Sequence, residues 1–207
     1  MKREHLHLLG RWALITVSLS ALLFLTAGTT HVTSIHRYLL VSSTLLLITI
    51  FAVDPQLAKE RAHPGDAGTD DGSRFAAGFL SLITATVAAL SVGRLSPLFN
   101  VPTSIRNTAL GVYGLSSILQ AWTMIVNPFF SPSVRLQTER SQCVIQNGPY
   151  TLMRHPGYFA MSISVPATAL AIGSWLALVP AVAFCSTNPT ACSIRRRVPE
   201  EESFWVR

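Results

Sequence analysis

Four apolar runs constrain this chain more than any other feature. They occupy residues 12–27, 38–53, 75–92 and 105–126, and a further run covers 159–184. Lipid offers a backbone no hydrogen-bond partners, so runs of this kind are satisfied within helices, and a crossing helix needs about 20 residues. The shorter runs approach that length once their flanks are added. The expected fold is therefore all-α, a multi-pass transmembrane helical bundle of about five to six membrane segments. The last run carries Pro166 and Gly173-Ser174. It reads either as one kinked span or as two shorter helices joined at Gly173-Ser174. The small residues Gly111, Gly114 and Ser117 in the fourth run suit close helix packing, though they can equally be incidental.

Charge narrows the partners. The formal net charge is +6, a balance that nucleic-acid binding would also produce. The basic residues, however, sit at the ends of runs with no aromatic-interleaved stripe, so the bilayer is the partner and nucleic acid is not. Cys143, Cys185 and Cys192 show no paired metal-ligand spacing and read as free thiols, with no metal site. The basic start and apolar middle of the first run are also the parts of a cleavable signal peptide. The second run, so close behind, favours a retained helix instead.

The runs divide the chain into two N-terminal transmembrane helices (1–53), a cytoplasmic loop (54–74), a membrane core (75–184) and a polar C-terminal tail (185–207). Residues 54–74 are crowded with charge and interrupted by Pro64, Gly65, Gly68 and Gly72, a loop signature. With the N-terminus in the cytoplasm, Lys2, Arg3, Arg11, Lys59, Arg61, Arg74, Arg135, Arg140 and Arg154 all fall on the cytoplasmic side. Only Arg37, Arg94 and Arg106 fall opposite, as the positive-inside rule requires.

The densest polar cluster directly precedes the last run: Gly148-Pro149-Tyr150-Thr151-Leu152-Met153-Arg154-His155-Pro156-Gly157-Tyr158. Two prolines fix φ and restrict the residues before them, so the stretch is a rigid turn and helix start. It gathers a guanidinium, an imidazole and two phenols, groups that bind anions and donate hydrogen bonds. The plain alternative is that Arg154, His155, Tyr150 and Tyr158 are membrane-interface anchors.

The spacing Gly-Pro-Tyr-x-x-x-Arg-His-Pro-x-Tyr resembles the signature of the isoprenylcysteine carboxyl methyltransferase family. The likeness extends upstream through 127–132, Val134-Arg135 and Glu139-Arg140, and downstream through 171–175. It covers roughly residues 54–184. The resemblance implies a small multi-pass membrane methyltransferase that uses S-adenosylmethionine on a lipophilic carboxylate or amine. It implies catalytic roles for Arg154 and His155. It further implies a donor pocket lined by Tyr150, Arg154, His155 and Tyr158 and completed by an acidic pair on a late helix.

The residue types suit that chemistry. Methyl transfer from a sulfonium is an in-line displacement, so positioning is the enzyme's main task, with no metal or covalent intermediate required. Arg154 can fork onto the donor's carboxylate, His155 can donate, and the tyrosines can stack or hydrogen-bond. The arginine can equally hold an acceptor's carboxylate. The tail departs from the family pattern. Arg196-x-x-x-Glu200-Glu201 has the spacing of the acidic pair, but Pro199 stands where a helix interior is expected, at a cost of about 3 kcal/mol. Two other classes remain open: a membrane reductase using a nicotinamide cofactor, although no Gly-rich dinucleotide fingerprint is present, and a non-catalytic membrane paralogue.

Overall fold

The computed structural model describes residues 3–53, 71–95, 99–130 and 144–186. Among these residues the protein is all helical, with one isolated antiparallel bridge between Asn100 and Ser174. Six α-helices follow in order: α1 (Arg3–Ala27), α2 (Thr33–Ala52), α3 (Asp71–Leu90), α4 (Thr103–Val126), α5 (Pro156–Ile172) and α6 (Leu178–Ser186). Four segments are long and apolar enough to cross a membrane: His7–Ala27, Thr33–Ala52, Gly78–Leu95 and Thr103–Val126. Pro156–Ile172 is apolar but shorter. The molecule is a multi-pass helical membrane bundle, as its apolar runs require.

α1 and α2 form a hairpin that turns at Gly28, whose φ of 71° is the left-handed conformation that favours glycine. Several of their hydroxyls bond back to carbonyls of their own helix. Ser20 Oγ donates to Thr16 O at 2.7 Å, and Thr49 Oγ1 donates to Leu45 O at 2.7 Å, whereas the buried Thr16 Oγ1 has no partner among the described residues. The indole of Trp12 then ties α1 to α2 by donating to Ser43 O at 2.8 Å. α2 stops at Ala52, just before Asp54-Pro55, where proline disfavours a continuing helix.

α3 begins at Asp71, four residues ahead of the apolar run, and ends in a π-helical turn, Ser91–Leu95. That turn presses Gly93 onto α1, where an added Cβ would stand 2.6 Å from Ala27 Cα. Arg94 then reaches the exposed carbonyls at the end of α1, donating from Nε to Thr26 O at 3.0 Å and from Nη2 to Leu25 O at 3.3 Å. A cation at a helix C-terminus also complements the helix dipole.

α5 is the centre of the bundle. Ten of its residues are buried, from Pro156 to Ile172, and it packs on α2, α3, α4 and α6. A helix apolar all round is one enclosed by others. The main core joins Leu23 and Ala27 of α1, Ile35, Tyr38 and Leu39 of α2, Ala85, Ala88 and Ala89 of α3, and Ala169 and Ile172 of α5. Alanines in these positions let backbones approach closely, which is how helices associate where lipid cancels the hydrophobic drive.

Of the two readings of the last apolar run, the structure takes the second: two helices. Gly173 caps α5 with φ of 118°, its N–H bonding back to Ala169 O at 3.1 Å. The joint is pinned from two sides. Val101 N donates to Gly173 O and Trp175 N to Phe99 O, both at 3.0 Å, while Ser34 Oγ donates to Ile172 O at 2.5 Å. Pro166 has no N–H for the Ser162 carbonyl, and the Cys185 thiol of α6 supplies a donor at 3.4 Å.

The glycines of α4 do not serve close packing. An added Cβ at Gly111 would meet nothing within 4 Å, and at Gly114 only Val41 Cγ1 at 4.0 Å. The close approaches are instead at Gly93 and, in the motif, at Gly157.

Candidate functional site

α4 ends and α5 begins at the same end of the bundle, so residues 127–130 and 144–158 meet there. Asn127 caps α4 and organises the turn that follows. Its Oδ1 accepts from Phe129 N at 2.9 Å, closing a local Asx turn, and Phe130 N donates to Asn127 O at 3.1 Å. The turn places the Phe130 ring against the first turn of α5. There a Cβ on Gly157 would lie 2.7 Å from Phe130 Cε2, so only glycine fits without movement.

The motif opens with a 3-10 turn, Gly148–Thr151. Gly148 adopts φ of 57°, close to Val126 and Trp122 of α4. Pro149 stands in the first turn, where its missing N–H costs nothing. Thr151 Oγ1 returns to Gly148 O at 2.8 Å. Pro156 then starts α5 in the same favourable position, with His155 at the N-cap. The two prolines thus set a rigid turn and helix start, as expected from sequence.

The structure pairs two of the predicted site residues, His155 and Tyr158, and ties a third, Tyr150, to Asn127. Tyr150 is half-buried, and its hydroxyl oxygen accepts from Asn127 Nδ2 at 3.1 Å, leaving its own O–H free to donate. Burial raises the Tyr150 pKa above 10.0, opposed by the Asn127 bond, so the phenol remains a neutral donor. The His155 and Tyr158 rings lie 5.8 Å apart, tilted by 34°, within the range of favourable aromatic pairs. His155 is solvent-exposed. The part of it packed into the turn still lowers its pKa below 6.5, and the neighbouring Arg154 guanidinium adds to the lowering. The imidazole is therefore neutral at pH 7. Arg154 is exposed and makes no hydrogen bond or ion pair among the described residues, so its planar fork is available there to an anion. Glu200 and Glu201 lie outside the described residues. Asn127 belongs to the site as the group that positions Tyr150. Its sequence signal is modest, an Asn-Pro pair at the end of an apolar run.

A cavity of about 500 Å³ lies elsewhere, between the first half of α4 and the second half of α5, lined by Ile105, Val112, Ile163 and Leu170 among others. None of the motif residues lines it.

Fold and cluster together define a helical membrane protein with a polar, cation-bearing turn at the mouth of its central helix. Residues 105–198 match the family model described as phospholipid methyltransferase. The matched span runs from α4 through the motif and α6 into the tail. Neither characterised proteins nor solved structures give a match.

Proposed function

We propose that the protein is an integral-membrane methyltransferase that uses S-adenosylmethionine on a lipophilic acceptor, with its N-terminus and motif in the cytoplasm. The observation that carries this reading is the gathering of Arg154, His155, Tyr158 and the Asn127-held Tyr150 at the start of the central helix, inside the span that matches a methyltransferase family. The residues present fit two ends of the donor. The free fork of Arg154 suits its carboxylate, and the tilted His155–Tyr158 pair offers aromatic faces to its adenine. When bound, the donor supplies a methyl group on a sulfonium. Tyr150 contributes a free O–H to orient a polar headgroup, and His155, neutral at pH 7, is available to take a proton from an acceptor ammonium. The description of the matched family makes an amine-bearing phospholipid headgroup the first acceptor to test, ahead of a carboxylate.

The experiment is incubation of the purified protein with methyl-labelled donor and a membrane lipid extract. Label in the lipid fraction is the expected result, and it should vanish in Arg154→Ala. Consumption of a reduced nicotinamide cofactor with no transfer would favour the reductase. Neither signal would leave a non-catalytic paralogue.

A further inference from the structure

The end of the bundle remote from the motif has an unusual charge balance. Glu4 lies at the start of α1, Asp54, Glu60, Asp66, Asp70 and Asp71 lie between α2 and the start of α3, and Glu139 lies between α4 and α5. The remaining acids, Glu200, Glu201 and Glu202, are in the tail. No acid falls within residues 28–37, 91–95, 99–107 or 172–178, the described segments at the remote end, yet Arg37, Arg94 and Arg106 all do. Two of these cations have structural duties. Arg94 spends Nε and Nη2 on the carbonyls of α1, and Arg106 Nε donates to Val101 O at 2.6 Å while lying over Gly173.

Arg37 is different. Among the described residues its sole hydrogen bond runs from Nη1 to Asn107 Oδ1 at 3.2 Å, which leaves the Nε–Nη2 edge without a partner there. That edge is the one that forks onto phosphate oxygens. The bond to Arg37 occupies Asn107 Oδ1, and its Nδ2 has no acceptor among the described residues. The pair is therefore a donor site with no carboxylate near it among the described residues. Arg37 stands in the second turn of α2 and Asn107 in the second turn of α4, each about 6 Å inside its helix start, a depth suited to a headgroup boundary. One turn deeper on the same face of α4, the space beside Gly111 is open, and Leu40 and Leu115 are exposed by 68% and 71%. Inward from the donor pair, the open space beside Gly111 and the exposed leucines offer apolar surface for hydrocarbon.

We propose that Arg37 and Asn107 bind the phosphate of an anionic phospholipid from the leaflet opposite the motif, with an acyl chain lying over Gly111. An anionic headgroup is selected because no described residue at this end offers a carboxylate to a choline or ethanolamine cation. The site is independent of the methyl-transfer reading.

The test uses the full chain in detergent, unfolded thermally with increasing phosphatidylglycerol, phosphatidylcholine or inorganic phosphate. Phosphatidylglycerol should stabilise it at concentrations about tenfold or more below those needed for phosphatidylcholine. Arg37→Gln should weaken phosphatidylglycerol binding about ten- to a hundredfold, as expected for one lost charge-assisted contact. Gly111→Leu should weaken it by blocking the chain, whereas Arg11→Gln, at the motif end, should leave it unchanged. Equal stabilisation by both lipids would overturn the proposal. So would an equal loss in Arg11→Gln, or stabilisation by inorganic phosphate at matching concentration, which would mark a free-anion site. If Arg37→Gln does not fold, Asn107→Ala and Gly111→Leu carry the test, and unchanged lipid selectivity in both would refute it.

Discussion

The bond between Cys185 and Ser162 gives the sharpest test of how the central helix is held. Pro166 removes the amide that would otherwise pair with the Ser162 carbonyl, and the thiol of α6 substitutes at 3.4 Å. A buried carbonyl left without any donor costs about 1–3 kcal/mol, but a thiol is a weak donor, so about 1 kcal/mol is the share at stake. Cys185→Ala also loses packing against the cluster of Val165, Ala181 and Phe184. A double-mutant cycle separates the two contributions. In wild type, Cys185→Ala should cost about 1–2 kcal/mol. In a Pro166→Ala background the new amide at 166 satisfies Ser162, so only the packing loss remains and the coupling should be about 1 kcal/mol. For a chain of this size that corresponds to about 2–4 °C in Tm, readable by thermal unfolding in detergent. Cys185→Ser, which keeps a donor, should fall close to wild type. Equal Tm losses from Cys185→Ala in both backgrounds would refute the reasoning.

The other perturbations probe the joint and the motif. Gly173→Ala places a Cβ at φ of 118° and 2.7 Å from Arg106 Nε, so it should cost at least about 1–3 kcal/mol, seen as a lower Tm. Asn127→Ala should lower stability by about 1–2 kcal/mol through two lost hydrogen bonds and, if Tyr150 binds donor or acceptor, reduce methyl transfer more than it reduces Tm. His155 should titrate below 6.5 by NMR, and Arg154→Gln should move it upward by removing the second cause of the lowering. Because the folded pKa is depressed, the unfolded chain binds the proton more readily. The His155 contribution therefore destabilises as pH falls through 6.5, and is absent above it.

Much of the bundle was legible because hydropathy over long windows reports burial in lipid directly. The break at Gly173-Ser174 was legible as one of two readings, and the structure's choice rests on a left-handed cap only glycine takes easily. What the apolar runs do not encode is which face meets which helix. Gly111 and Gly114 look like packing residues yet border open space, while Gly93 and Gly157 make the tight contacts. The central place of α5 was equally hidden, since its run resembles the others until its neighbours are known. In the motif, adjacency in sequence made Arg154, His155 and Tyr158 easy to group. The tie from Asn127 to Tyr150 spans 23 residues and needed the turn at 127–130 to bring it about.

The charge at the motif leads to a last prediction. The proposed donor carries a carboxylate but also an ammonium and a sulfonium, so a site holding only Arg154 attracts one end and repels the other two. His155 limits the repulsion by being neutral at pH 7. No acid lies within residues 122–130 or 144–158, so the balancing carboxylate has to come from another segment. Seven acids lie before the motif in sequence, from Glu4 to Glu139, and three in the tail. Glu200 and Glu201 have the family-like spacing from Arg196, and the family match extends to residue 198, up to the edge of the pair. If they complete the site, Glu200→Gln and Glu201→Gln should each weaken donor binding about tenfold or more, the worth of one charge-assisted contact. The effect should appear in calorimetric titration of S-adenosylmethionine with Tm unchanged, and Glu139→Gln should serve as the silent control. Undiminished binding in the double variant Glu200→Gln/Glu201→Gln, with loss in Glu139→Gln, would move the acidic role to the segment before the motif and remove the tail from the site.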